Sequence, residues 1–188
     1  MRNNFYWIGV ILLTQWLVYF VDAAIIANLT HWGLQPRSWA GLVGIPLMPF
    51  LHNGFGHLFG NTIPLFVLLA LLTGSRTNQW KIVISIALLN GILLWLFGRN
   101  AVHVGASGLV FGLISFLIVS GLMEKRPIPM AISVLVGLLY GGTLIWGVIP
   151  RIGSSVSWDG HLTGVVTGIA VAYVTTSIQN SERAFFSK

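Results

Sequence analysis

The side chains in this sequence that could do chemistry lie in three short polar groups, each of which begins an apolar segment. They are His52, Asn53, His57 and Asn61 in the first group, His103 and Ser107 in the second, and Asp159 and His161 in the third. Ionisable residues at membrane depth are costly and tend to mark functional sites. A serine near a histidine base is a common hydrolase arrangement, because a free hydroxyl is a weak nucleophile. The three groups therefore predict a hydrolytic site.

Ser107 and His161 are the pair that we predict to carry this chemistry. Each lies beside the first glycine of a row with a spacing of four, and such rows let helix backbones pack closely in lipid. The rows are Gly108 and Gly112 after the serine, and Gly160, Gly164 and Gly168 around the histidine. Close packing would bring hydroxyl and imidazole together, so that Ser107 attacks an amide while His161 takes its proton and later gives it to the leaving amine.

A carboxylate that could orient His161 is harder to identify. Asp159 is only two residues away, and residues at that spacing do not share a helix face. Asp22 lies in the outer part of the first apolar segment and could be a third member, although a pairing with Arg37 is the simpler interpretation. The sequence therefore favours a Ser–His dyad over a triad and leaves the role of Asp22 open.

His57 and Asn61 could stabilise the negative charge that develops during attack on a carbonyl. They are four residues apart, so on a helix they share one face. Together with the backbone N–H of Ser107 at a helix start, they could donate hydrogen bonds to the oxyanion of a tetrahedral intermediate.

The composition requires most of the chain to lie in a lipid bilayer. Hydrophobic residues make up 55% of the 188 residues and charged residues only 7%, whereas soluble domains carry about 25% charged residues. We predict an all-α integral membrane protein with a single membrane domain over residues 1–188 and six spans, each near the roughly 20 apolar residues that a crossing needs. The predicted spans are about 5–27, 58–73, 80–97, 104–122, 128–149 and 161–178.

The basic residues indicate how the spans are oriented. They are scattered between the apolar segments, so the net charge of +6 does not predict nucleic-acid binding. With a cytoplasmic N-terminus, seven of the ten basic residues lie inside, which is the positive-inside pattern. Both termini are then predicted to be cytoplasmic. Because spans two, four and six run in the same direction, the three polar groups lie together at the external face.

In this order the residues resemble the rhomboid intramembrane serine proteases, and their bacterial branch in particular. The resemblance covers about residues 31–178 and rests on three motifs: His52-x4-His57-x3-Asn61, Gly105-Ala106-Ser107-Gly108, and His161-x2-Gly164. It implies a six-helix bundle in a bacterial inner membrane, with a water-filled cavity that opens outward. It implies single-span membrane proteins as substrates, cut in or near their transmembrane segments, and no metal or other cofactor.

By motif position, the resemblance also implies a role for each site residue. Ser107 and His161 form the dyad, and the oxyanion hole is formed by His57, Asn61 and the Ser107 N–H. The supporting positions are His52, Gly105, Gly108, Phe111 and Gly164. Some members carry tyrosine at the position of Phe111, and phenylalanine lacks the hydroxyl but could still pack against His161.

Two other functions deserve comparison with a protease. An inactive relative that binds membrane helices should lack the serine or the histidine, and this chain keeps both Ser107 and His161. A metal-binding transporter could use His52, His57 and His161 as zinc ligands, but no carboxylate base lies near them and the sequence contains no His-Glu-x-x-His. The sequence does not indicate the oligomeric state.

Span five is predicted to be the part of the protein that moves to admit a substrate. It contains four glycines whose lack of side chains would weaken its packing: Gly137, Gly141, Gly142 and Gly147. The connection that follows, residues 151–160, is rich in glycine and serine and is predicted to form a mobile cap. The simpler interpretation is that these glycines accommodate bulky neighbours such as Trp146 and Phe66.

Overall fold

The computed structural model of the chain describes residues 2–25, 28–150 and 156–186. Six long α-helices form most of it, and we label them α1 to α6 in chain order. Their bounds are Arg2–Ile25, Phe55–Ser75, Gln79–Phe97, Ser107–Glu124, Pro127–Gly147 and Trp158–Phe186. Each contains a stretch long and apolar enough to cross a membrane. The predicted all-α fold with six such helices is confirmed.

Helix α4 begins at Ser107, three residues later than expected, because backbone hydrogen bonds hold the preceding residues outside the helix. His103 exchanges two backbone hydrogen bonds with Leu34, of 2.8 and 2.9 Å. Gly105 donates its N–H to the carbonyl of Met48 at 2.8 Å. Because these contacts hold His103 and Gly105 in a non-helical connection, the helix begins only at Ser107.

Helix α6 begins at Trp158, before the predicted start at 161. The hydroxyl of Ser157 accepts the backbone N–H of Gly160 at 3.2 Å, which is how a serine caps a helix N-terminus. Asp159 and His161 therefore both lie in the first turns of α6.

The connection between α1 and α2 is a compact series of short helical turns. They cover Leu29–Trp32, Ala40–Val43, Gly44–Leu47 and Met48–Phe50. Leu34 and Met48 pack with Leu94 of α3 in a small buried cluster. The Arg37 guanidinium donates to the carbonyl of Gly98 at 2.7 Å. This connection is thus attached to the end of α3, next to the chain that leads into Ser107.

Glycines bring α4 and α6 into direct backbone contact. A β-carbon at Gly164 would lie 2.2 Å from the carbonyl oxygen of Gly108, and one at Gly168 would lie 2.1 Å from that of Gly112. Heavy atoms that are not bonded to each other cannot approach that closely, so a side chain at either position would push the two helices apart. Since Gly108 is the second residue of α4 and Gly164 lies in the second turn of α6, this contact places the start of α4 beside the start of α6.

Helix α5 is packed more loosely than α4. Leu138 is 81% exposed and Trp146 is 64% exposed in the isolated chain. A β-carbon at Gly137, Gly141 or Gly142 would meet no atom within 4 Å, so these three glycines do not accommodate Trp146 or another bulky neighbour. Residues 151–155 of the predicted cap lie outside the described residues.

Candidate active site

The ends of α2, α4 and α6 surround a cavity of about 740 Å³. His57 and Asn61 of α2, Ser107 of α4 and His161 of α6 all line it. The four residues predicted to act together are therefore at one cavity. Among the described contacts, no hydrogen bond joins the Ser107 hydroxyl to the His161 imidazole; in unliganded enzymes such bonds are often long and shorten when substrate binds.

Ser107 occupies the first position of a helix that begins beside the cavity. The first N–H groups of a helix have no partner within it, and the N-terminal end of the helix dipole favours negative charge. The Ser107 backbone N–H is therefore suited to donate to an anion. Its side chain is half-buried and lines the cavity.

The imidazole of His161 is held by a ring and by a backbone carbonyl. Its ring stacks on Phe111 with centroids 4.0 Å apart and planes within 5° of parallel. Its Nδ1 lies 2.9 Å from the carbonyl oxygen of Gly147 at the end of α5. Because a carbonyl only accepts, Nδ1 must carry the proton, and Nε2 of the neutral ring is left as an acceptor. That is the form that a general base needs.

On the α2 side of the cavity, His57 and Asn61 pack closely against Gly105. This glycine has φ of 105°, a conformation that only glycine adopts readily. A β-carbon there would lie 2.5 Å from His57 Nε2 and 3.3 Å from Asn61 Nδ2. Gly105 therefore permits the His57 and Asn61 side chains to approach the backbone just before Ser107. The buried Asn61 Nδ2 has no hydrogen-bond partner in the described structure and is a donor available to a ligand.

His52 lies behind His57 and is buried. The two rings meet edge to face with centroids 5.1 Å apart. Burial, with a smaller contribution from the charge of His57 and some opposition from the Phe50 backbone, lowers the pKa of His52 to about 4. His52 is therefore neutral at pH 7, and its ring supports His57 by packing.

Asp159 and His103 belong to a polar cluster at the start of α6, and His103 lines the same cavity as Ser107 and His161. The Asp159 carboxylate accepts the backbone N–H of Arg99 at 2.9 Å and the hydroxyl of Ser157 at 3.1 Å. His103 Nδ1 lies 2.8 Å from the same hydroxyl. The cluster ties the α3–α4 connection to the first turn of α6, so Asp159 acts on the loop and does not orient His161.

Asp22 also has a partner that the sequence did not indicate. Its carboxylate accepts the backbone N–H of Leu29 at 2.8 Å. Arg37 donates to backbone carbonyls instead of pairing with Asp22. The described contacts therefore show neither the triad nor the ion pair considered for this aspartate.

The described residues contain no cluster of three or more histidine, aspartate or glutamate side chains placed to bind a metal ion. His52, His57 and His161, the zinc ligands of the transporter hypothesis, therefore do not form such a cluster. His52 and His57 pack against each other, while His161 is bonded to Gly147.

Comparison with known proteins matches residues 36–178 to the Rhomboid domain family. An uncharacterized protein of Mycobacterium tuberculosis is 37% identical over 179 residues, which cover 90% of this chain and 74% of the relative. One from Mycobacterium leprae is 35% identical over 190 residues, 94% of this chain and 74% of the relative. Rhomboid-related protein 1 of Caenorhabditis elegans is 29% identical over 134 residues, 66% of this chain and 37% of that protein.

Proposed function

The chain belongs to the rhomboid family, and we propose that it is an intramembrane serine endopeptidase that cuts other membrane proteins in or near their transmembrane segments. The observation that carries the proposal is the cavity at which Ser107, His161, His57 and Asn61 converge from three helices. A nucleophile, a base and free hydrogen-bond donors at one cavity are the groups that peptide hydrolysis needs.

The proposed reaction begins with attack of Ser107 Oγ on the carbonyl carbon of the scissile bond. His161 Nε2 takes the hydroxyl proton as the C–O bond forms, and the carbonyl oxygen becomes an oxyanion. Collapse of this intermediate breaks the C–N bond, and His161 returns the proton to the leaving amine. A water molecule, activated by the same nitrogen, then hydrolyses the acyl-enzyme and restores Ser107.

The oxyanion would be stabilised by donors of residues that line the cavity. The Ser107 N–H belongs to the helix start, and Asn61 Nδ2 is buried without a partner. His57 packs against Gly105, close to both. Because these donors are in place before substrate binds, no reorganisation is needed when the charge develops.

The protein is a multi-pass integral membrane protein. We place it in a bacterial inner membrane, with both termini in the cytoplasm and the cavity open to the external face. The positive-inside count supports this orientation, and the mycobacterial relatives fit a bacterial origin. The substrates in this proposal are single-span membrane proteins, as the family resemblance implies.

A transmembrane substrate would reach the cavity from the lipid, between α2 and α5. Gly56 and Gly60 of α2 and Tyr140 and Thr143 of α5 line the cavity on these two sides, and α5 is the loosely packed helix. A cysteine pair joining α2 to α5 is expected to block cleavage until it is reduced. The native chain has no cysteine to interfere, and full cleavage by the cross-linked protein would place the entrance elsewhere.

The decisive experiment uses purified protein in liposomes with a panel of single-span substrates. We expect wild type to cut at least one substrate, and Ser107→Ala and His161→Ala each to abolish cleavage without loss of folding. The double variant Ser107→Ala, His161→Ala should cleave no more slowly than either single variant, because a nucleophile and its base act as a unit. Retained cleavage by Ser107→Ala would overturn the proposal, and substrate binding by a wild type that never cuts would favour the inactive-relative hypothesis.

A further inference from the structure

The backbone carbonyl that contacts His161 lies at a helix end. The last four carbonyls of an α-helix have no partner within the helix, and Gly147 is the final residue of α5. Its carbonyl oxygen is directed at His161 Nδ1 at 2.9 Å. An acceptor that the helix leaves unused is thus used by the proposed catalytic base.

A side chain at position 147 would displace the aromatic ring beside His161. A β-carbon at Gly147 would lie 2.2 Å from Cζ and 2.6 Å from Cε1 of Phe111, and 3.4 Å from His161 Nδ1. Phe111 is stacked on His161 at 4.0 Å, so the ring that would be pushed is the one against the base. In contrast, Gly141 on the same helix has open space at its β-carbon.

We infer that Gly147 is a positioning residue whose carbonyl holds His161 in the tautomer with a free Nε2, so that the base is ready only while the end of α5 is in place. This inference rests on the proposed protease function. The carbonyl performs the orienting role that an aspartate performs in a Ser–His–Asp triad. It also couples the loosely packed α5 to the base, because any shift of its last turn moves the acceptor away from Nδ1.

The first test compares Gly147→Ala with the matched control Gly141→Ala. The added methyl at Gly147 must displace Phe111 and with it His161, and a misplacement of about 1 Å can cost about 10²-fold in rate. We expect kcat of Gly147→Ala to fall by about 10²-fold with KM little changed, while Gly141→Ala behaves as wild type. Equal kcat in both variants would overturn the inference.

The second test weakens the carbonyl without adding an atom near the rings. Replacing Val148 by its α-hydroxy analogue converts the Gly147 carbonyl to an ester, which is a poorer acceptor. The control is the same replacement at Gly142, which weakens the Gly141 carbonyl. We expect the Val148 ester to lower kcat by about tenfold, the effect of one ordinary hydrogen bond, and the Gly142 ester to have little effect. If Gly147→Ala does not fold, the comparison of the two esters tests the role of the Gly147 carbonyl, and equal kcat in both esters would overturn the inference.

A spectroscopic readout separates this inference from the proposed function. In ¹⁵N-histidine-labelled protein, the His161 signals are assigned by comparison with His161→Ala. We expect wild type to show a protonated Nδ1, and the Val148 ester to show a mixture of tautomers. An unchanged tautomer together with unchanged kcat would sink the inference. A wild type with the Nδ1–H tautomer but no proteolysis would instead refute the proposed function and leave the hydrogen bond standing.

Discussion

Replacing Gly164 by alanine tests whether backbone contact between α4 and α6 sets the catalytic geometry. The new β-carbon would lie 2.2 Å from the Gly108 carbonyl oxygen, whereas ordinary contact begins at 3.4 Å. The helices must therefore separate by about 1.2 Å, the difference between these distances. Gly108 follows Ser107 directly, and Gly164 is one turn after His161, so the separation acts on the proposed nucleophile and the proposed base together.

We expect this shift to lower kcat by about 10²-fold, since a misplacement of about 1 Å can cost that much. We also expect a loss of about 1–3 kcal/mol in the free energy of unfolding, typical of an overpacked interior. The assays are cleavage of a single-span substrate in liposomes and an unfolding titration in mild detergent. Gly137→Ala is the control, because its β-carbon would meet nothing within 4 Å. Wild-type kcat in a folded Gly164→Ala protein would refute the reasoning.

Three further predictions concern the oxyanion donors, a buried histidine and a buried ion pair. Asn61→Ala should stay folded but lose about 10²–10³-fold in kcat, the usual effect of removing one oxyanion donor; unchanged kcat would exclude it from the hole. Because the pKa of His52 is lowered to about 4 in the folded state, the unfolded chain binds more protons between pH 4 and 6.5. Stability should thus fall as pH drops through that range, by up to about 3 kcal/mol; an equally steep fall in His52→Gln would contradict this. Arg76, the residue after α2, and Glu124 at the end of α4 form a buried ion pair, so Glu124→Leu should lower the free energy of unfolding by about 3–5 kcal/mol, because the buried Arg76 charge loses its carboxylate. The double variant Arg76→Met, Glu124→Leu should recover most of the lost free energy of unfolding. If the double variant is as unstable as Glu124→Leu, the unpaired arginine is not the cause of the loss.

The six helices and the shared depth of the polar groups were predictable from sequence. A segment of about 20 apolar residues can cross a bilayer only as a helix, because every backbone group must find its hydrogen bond inside the segment. Alternate spans run in the same direction, so the groups before α2, α4 and α6 had to lie at one end of the bundle. The glycine rows at Gly108 and Gly164 likewise indicated close packing, and the structure shows backbone contact there.

The start of α4 and the partner of Asp159 were not predictable, because they depend on segments distant in sequence. The first connection reaches across to Gly105 and His103 and holds them out of the helix. Asp159 accepts the backbone N–H of Arg99 in the α3–α4 connection. Asp22 accepts the backbone N–H of Leu29, a residue close to it in sequence, but every residue except proline carries such an N–H, so the residue type does not mark this partner. A sequence shows which residues can form hydrogen bonds but not which chain segment will lie opposite them.

The residue types Ser107, His161, His57 and Asn61 identified the candidate chemistry from the sequence by itself, since side-chain chemistry is a property of residue type. Only the tertiary structure decided which group contacts Nδ1 of His161. That group is the backbone carbonyl of Gly147, and every residue carries a carbonyl, so no pattern of residue types could single it out. Its role depends on where α5 ends and on how α5 packs beside Phe111, and both follow from the assembly of the helices.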